Sequence, residues 1–202
     1  MITLTINETE FNIANSYEEL SLGQYIDIVK IGESKIQLDS NASDIKVIAL
    51  LSDKPELLEK ELYNLNLEDF KELLTHFTWV NDTSVLEDFK SMEPKEKIIV
   101  EDKEYTIITN YNKLSLGEIV SFETILKQEN SDLHRLDTAF GLLLRPIEDN
   151  KMIKFTQEVF DSIIDIKYRV KMVDIYASLA FFLAGEKTST IKSTKAFSIR
   201  KH

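Results

Sequence analysis

The sequence predicts an α+β fold dominated by helices, arranged as two duplicated units, each a β-hairpin followed by several helices. Three observations carry this expectation. A 30-residue stretch recurs without a gap, short segments alternate apolar and polar residues at period two, and longer segments carry apolar residues at helical spacing. With only five Gly and three Pro in 202 residues, an all-β chain with many tight turns is disfavoured.

The recurrence sets Ile2–Ile31 above Glu96–Ile125 at a constant offset of 94 residues. Eight of the 30 positions are identical: Glu10/Glu104, Ile13/Ile107, Tyr17/Tyr111, Leu20/Leu114, Ser21/Ser115, Leu22/Leu116, Gly23/Gly117 and Ile31/Ile125. Conservative pairs such as Leu4/Ile98, Ile6/Val100 and Phe11/Tyr105 fill the pattern. The expected division is a first unit over 1–80, a linker over 81–95, a second unit over 96–185 and a basic C-terminal arm over 186–202.

Each unit opens with a hairpin. Leu4, Ile6, Phe11 and Ile13 alternate around the polar turn Asn7-Glu8-Thr9-Glu10. Ile98, Val100, Tyr105 and Ile107 do so around Glu101-Asp102-Lys103. Neither turn carries Asn-Gly or Asp-Gly. A lone hairpin is marginal in water, so these two must pack on helices, pair with each other or add to a partner's sheet. Next comes Leu-Ser-Leu-Gly in both units. Ser21 and Ser115 stand where an N-cap belongs, with Gln24 and Glu118 three residues on, the spacing of a capping box. Leu20 with Tyr25, and Leu114 with Ile119, have the spacing of a hydrophobic staple. The single Gly is followed by no Lys or second Gly, so this is a helix start and not a phosphate loop.

Further along the first unit, Asp44–Ser52 is apolar at Ile45, Val47, Ile48, Leu50 and Leu51. Pro55 opens a helix over Glu56–Leu62. Asn66 caps a helix with Leu67, Phe70, Leu73, Leu74 and Phe77 on one face. Thr83–Ser91 is a short helix inside the linker, ending before Pro94. In the second unit, Leu133–Leu144 is a helix broken before Pro146. Thr156–Lys167 follows, and a long apolar helix over Tyr168–Ala184 ends at the C-cap glycine Gly185. No segment is apolar for long enough to span a bilayer, and the N-terminus lacks a basic, then apolar, leader.

The charge is uneven. Lys and Arg number 24 against 35 Asp and Glu, a net −11. Residues 186–202 hold five Lys/Arg and one acid, so the arm is +4 and the body −15. The acidic balance argues against a non-specific nucleic-acid or membrane binder. Lys187, Ile191, Lys192, Lys195, Phe197, Arg200 and Lys201 alternate basic and apolar character, which suits an arm that docks on an acidic neighbour. With no cysteine there is no disulfide, thiolate nucleophile or Cys-based metal site.

A search for chemistry finds no constellation. His76 lies in the last turn of a helix, where a cation suits the dipole. His134 has only Asp137 at helical spacing, and His202 is terminal. Glu158, Asp161 and Asp165, and likewise Glu68, Asp69 and Glu72, share helical faces. Paired acids can serve glycoside hydrolysis or hold Mg²⁺, but here they alternate with an apolar stripe as solvated faces do. Arg145, Arg169 and Lys171 are candidates for ion pairs on the final helix pair, and Trp79 with Phe77 and Phe70 for the core or an interface rather than a ligand platform. No catalytic residue, cofactor or metal is expected.

The hairpin followed by Leu-Ser-Leu-Gly-Gln-Tyr resembles the opening of tail-assembly chaperone and baseplate-hub assembly proteins of tailed bacteriophages. Leu67-Glu68-Asp69-Phe70 is similar to a Leu-x-x-(Asp/Glu)-Phe element in their helical part. The duplicated, Cys-free composition, rich in Ile, Lys and Asn, also resembles tail-ring or connector proteins of crAss-like phages. The resemblance covers about 30 residues of each unit. It implies a non-enzymatic virion structural protein of the tail or head–tail connector, made in the bacterial host cytoplasm. Its partners would be further copies of itself in a homo-oligomeric ring and other phage tail or connector proteins, with no sequence-specific nucleic acid and no membrane. The alternative it implies is a non-virion tail or baseplate assembly chaperone that binds another tail protein.

Overall fold

The computed structural model describes residues 1–33, 40–110, 113–128, 132–149 and 151–181. Among these the fold is helix-dominated α+β, with nine helices and two small antiparallel sheets. Two compact units are present. One comprises Met1–Phe89 with Lys167–Asp174; the other comprises Lys90–Ile166 with Ile175 and the described residues after it. A stretch far along the chain, inside the expected second unit, is thus built into the first.

The first unit opens with β1 (Ile2–Ile6) and β2 (Thr9–Ile13), paired from Ile2↔Ile13 to Ile6↔Thr9. The turn is tighter than its polar run suggests. It is the two residues Asn7 and Glu8, at φ 47° and 65°, the left-handed pair of a type I′ turn. A 3-10 turn over Tyr17–Glu19 leads to α1 (Leu22–Glu33), then α2 (Ser40–Leu50), α3 (Pro55–Tyr63), α4 (Leu67–Thr75) and α5 (Ser84–Ser91). Pro55 sits at the first position of α3, where a missing N–H costs nothing. The Asn66 side chain accepts from the amides of Glu68 and Asp69 and so caps α4. Only Phe70 and Phe77 of the expected α4 stripe are buried. Leu73 and Leu74 are half-buried and Leu67 is exposed. Phe11, Ile13, Leu20, Leu22, Ile26, Ile48, Leu51 and Leu58 are at most 2% exposed and form the core, each contributing about 1.5–3 kcal/mol by burial.

The second unit opens in a similar way. β3 (Lys97–Val100) and β4 (Lys103–Ile107) turn at Glu101 and Asp102, φ 50° and 63°, each 94 positions after Asn7 and Glu8. α6 (Leu116–Gln128) starts 94 positions after α1, and α7 (Asp132–Leu143) starts 92 after α2. Tyr111, the partner of Tyr17, lies outside the described residues. The chain then crosses the hairpin in the same way in both units. Ala14 N–H donates to Leu51 O (3.0 Å), and Ile108 N–H donates to Leu143 O (2.8 Å).

Beyond that crossing the units differ. In the second, the chain runs on as β5 (Leu144–Glu148), in register Ile107↔Leu144 to Tyr105↔Pro146, and folds back as β6 (Lys151–Met152). The helix does end ahead of Pro146, yet Pro146 lies inside a strand. The bond from Ile108 N–H to Leu143 O makes Ile107↔Leu144 a pair without direct ladder bonds. By alternation Tyr105↔Pro146 is another, so the proline withholds no donor from β4. On the β6 side Ile153 N–H donates to Pro146 O (3.0 Å), the reciprocal bond cannot form, and β6 stops after two residues. In the first unit the third strand shrinks to the Ile13↔Ser52 bridge. Asp53 N–H donates to Asn12 O (3.0 Å), but the Asn12 N–H goes to the Asp53 carboxylate (3.1 Å). The side chain takes the ladder position, and Ser52 Oγ accepts the Lys54 N–H (3.0 Å) as the chain turns into α3.

α8 (Gln157–Ile166) packs on α7. A Cβ on Gly141 would run into the Phe160 ring, so only glycine lets the two helices approach this closely. The last described helix, α9, spans 172–181 and does not begin at Tyr168 as the apolar run suggests. The rest of the expected helix up to Ala184, with Gly185, lies outside the described residues, as does the whole basic arm: Lys187, Ile191, Lys192, Lys195, Phe197, Arg200 and Lys201.

Candidate functional site

Two helix starts with the same four residues, Leu20-Ser21-Leu22-Gly23 and Leu114-Ser115-Leu116-Gly117, have opposite surroundings. In the first, Gln24 N–H donates to Ser21 Oγ (3.1 Å) and Ser21 N–H donates to Gln24 Oε1 (3.0 Å). In the second, Glu118 N–H donates to Ser115 Oγ (3.3 Å) and Ser115 N–H donates to Glu118 Oε2 (2.6 Å). Each is a reciprocal capping box, which satisfies two orphan amides of the helix.

The free ends of the two side chains need opposite partners. Gln24 has an amide NH₂ left over, and it donates to Leu50 O at the end of α2 (2.7 Å). Glu118 has only an acceptor left over, and it receives Arg145 Nη2 (2.8 Å). Arg145 lies on β5 in register with Thr106, as Asp53 lies beside Asn12 in the first unit. The change from amide to carboxylate is thus matched by a change from Asp53 to Arg145 on the adjoining segment. Arg145 is 1% exposed, donates also to Leu144 O (2.8 Å) and sits 4.7 Å from the Phe155 ring centroid. Its ion pair is therefore not on the final helices, where the sequence suggested one, but at the α6 start. Burial lowers the Arg145 pKa, opposed by Glu118. Burial also works to raise Glu118, but hydrogen bonds from Ser115 and Arg145 and the guanidinium charge bring it below the ordinary carboxylate value. A cleft of about 620 Å³ opens here, lined by Leu114, Ser115, Gly117, Glu118, Arg145 and Phe155 among others.

The first helix start is covered. Residues Lys167–Met172 lie along it as a turn over 167–169 that leads into a single bridge at Lys171. Leu22 N–H donates to Val170 O (2.8 Å), Met172 N–H donates to Leu20 O (2.8 Å) and Gly23 N–H donates to Lys167 O (3.0 Å). Ser21 and Lys171 form an antiparallel bridge. The Tyr168 ring rests on Gly23, where a Cβ would collide with it, and its hydroxyl donates to Asp27 (2.7 Å). Leu22 is 0% and Val170 2% exposed. This strip explains why α9 starts at 172: the preceding residues are engaged in pairing. Among the described residues the second start is open. Leu116 is 77% exposed, Val120 is 54% exposed, and nothing lies within 4 Å of a Cβ on Gly117.

Elsewhere in the first unit, Tyr17 meets Trp79 edge-on at 5.2 Å and donates to Val80 O (2.6 Å). Burial, then Asp82, raises its pKa. Trp79 therefore packs as a half-buried aromatic, beside a cleft of about 460 Å³ that Tyr17 and Phe77 help to line. Glu158, Asp161 and Asp165 are exposed, as are Glu68, Asp69 and Glu72. His76 is the exposed C-cap of α4; the His134 side chain and His202 lie outside the described residues. Among the described residues no group of three or more His, Asp or Glu could hold a metal ion, and no helix is long and apolar enough to cross a membrane.

Sequence spacing found Ser21, Gln24, Ser115 and Glu118. It missed Arg145 as the partner of Glu118, and it missed the covering strip. The available signal for Arg145 was the exchange of Gln24 for Glu118, which strands a carboxylate unless a cation moves in beside it. Comparison with protein families, curated proteins and solved structures finds no match to this chain.

Proposed function

We propose that this chain is a non-enzymatic structural protein of a tailed-phage particle, a ring component of the tail or head–tail connector that acts through protein–protein contacts. The observation that carries the reading is the pair of sheet edges that no further strand covers among the described residues. β1 and β3 are each the terminal strand of their sheet, and β3 presents Ile99 at 76% exposure. Edge strands of this kind accept a strand from another chain through main-chain hydrogen bonds. The resemblance of the hairpin and helix start to phage tail proteins, the matching geometry of the two openings and the −15 body with its +4 arm support the same reading. We take the repeated opening as the product of an internal duplication.

Quantitative mass spectrometry of purified particles tests this. A structural ring component is present at a fixed multiple of other tail proteins, and light scattering of the purified chain shows an oligomer. Absence from the particles rejects the reading and favours the assembly chaperone.

A further inference from the structure

We propose that the vacant edge Leu114–Gly117 is the seat of the chain's own C-terminal segment Phe197-Ser198-Ile199-Arg200. In this site the segment lies as Tyr168-Arg169-Val170-Lys171 lies on Leu20–Gly23. This inference does not rest on the phage reading.

The first seat shows what a Leu-Ser-Leu-Gly helix start holds: a turn-and-bridge segment with an aromatic residue, an exposed Arg169, a β-branched residue and a basic residue in that order. The aromatic ring covers the glycine, the β-branched residue is buried, and the basic residue pairs across from the serine. The second seat has the same four residues, the same capping box and the same type I′ hairpin before it, but no strip among the described residues. Its Leu116 and Gly117 amides have no partner among the described residues, in contrast with those of Leu22 and Gly23. Phe197-Ser198-Ile199-Arg200 has the aromatic, β-branched and basic residues at the same three positions, with Ser198 in place of the exposed Arg169.

The differences between the two sets compensate. Tyr168 gives its hydroxyl to Asp27, and the residue 94 positions after Asp27 is Ser121, which carries no charge for a hydroxyl to meet. The aromatic residue in the arm is correspondingly Phe197, with no hydroxyl. One difference opposes docking: Lys113 stands where Glu19 faces Lys171, so it repels Arg200. The same chain is the favoured source. The described residues of α9 from Ile175 belong to the same unit as the seat, and 15 residues separate Phe181 from Phe197. Fifteen residues, as a random coil, would span about 20 Å and hold the far end at an effective concentration of order millimolar.

The chain has no cysteine, so engineered disulfides report the register directly. Ser21 and Lys171 form a pair without direct ladder bonds, flanked by the two bonds to Val170 and Leu20, and such pairs have closely spaced Cα atoms. The equivalent pair is Ser115 with Arg200. Under mild oxidation the full-length S115C/R200C chain should form a disulfide and run as a monomer on a non-reducing gel. S21C/K171C serves as the positive control and S115C/S193C as the out-of-register control. Failure of S115C/R200C where the positive control succeeds overturns the proposal. So does equal cross-linking to residue 193, or a ladder of cross-linked multimers, which would make the occupant a second copy.

A cysteine-free measurement guards against damage to the cap. In the full-length chain, amide exchange at Leu116 and Gly117 should speed up about tenfold in F197A and slow down in K113E, with Leu22 and Gly23 unchanged. Exchange indifferent to both substitutions overturns the proposal.

Discussion

At the scale of single residues, Glu118 and Gln24 show how one atom decides a partner. Replacing Glu118 by Ala removes the carboxylate from a guanidinium that is 1% exposed, which leaves a buried charge without its counter-ion. The expected loss is about 3–5 kcal/mol, read as a lowered urea midpoint at unchanged slope. The converse substitution, Gln24→Glu, turns a donor toward Leu50 O into a carboxylate and is expected to cost about 1–3 kcal/mol. The pH dependence follows from the direction of the Glu118 shift. Its folded pKa lies below the ordinary value, so its contribution is complete above an unfolded pKa of about 4.3 and fades as pH falls through the folded one. Denaturant titrations at stepped pH should show wild-type stability falling across this acidic window, and Glu118→Gln should lose that part of the slope.

Elements were legible where the code is local. Alternation located both hairpins, and the Ser-x-x-Gln/Glu spacing located both helix starts, because these signals lie within a few residues of the structure they specify. The turn type escaped because Glu8, Glu101 and Asp102 adopt left-handed φ without the glycine that advertises it. Their backbone cost of about 1 kcal/mol each is carried by the strand pairing around them. Glu8→Gly should therefore raise the thermal midpoint slightly, since Asn-Gly fits a type I′ turn without strain. β5 and β6 escaped because Pro146 reads as a breaker unless its ladder position is known. That position is set by Ile108 and Leu143, 35 residues apart. Gly141 in α7 is a second position where propensity misleads. Alanine is the better helix former by about 1 kcal/mol, yet a Cβ there strikes the Phe160 ring, so Gly141→Ala should lower stability by about 1–3 kcal/mol.

For the whole molecule, what the sequence could not disclose is which distant segment completes each unit. The apolar run from Tyr168 onward suits a helix, and helical periodicity says nothing about the Leu20–Gly23 edge that engages its first residues. The first unit therefore depends on residues about 80 positions beyond its own last helix. A fragment of residues 1–89 exposes Leu20, Leu22 and Gly23 and is expected to show weak, non-cooperative thermal unfolding by circular dichroism. Adding a peptide of residues 167–174 should sharpen and raise the transition. A fragment that unfolds cooperatively at the same temperature with and without the peptide would contradict this dependence.

The sheet of the second unit also has a direction. On one flank, β3 is the terminal strand, with no further strand paired to it among the described residues. On the other, Pro146 has ended the pairing and β6 is two residues long. A strand arriving from outside finds a template on the β3 flank and almost none on the other. Stacked through this sheet alone, two copies could join β3 to β3 and then stop, since neither outer flank can recruit a third. The proline would thus act as a chain terminator for growth of this sheet, leaving it β3 as its one adhesive edge.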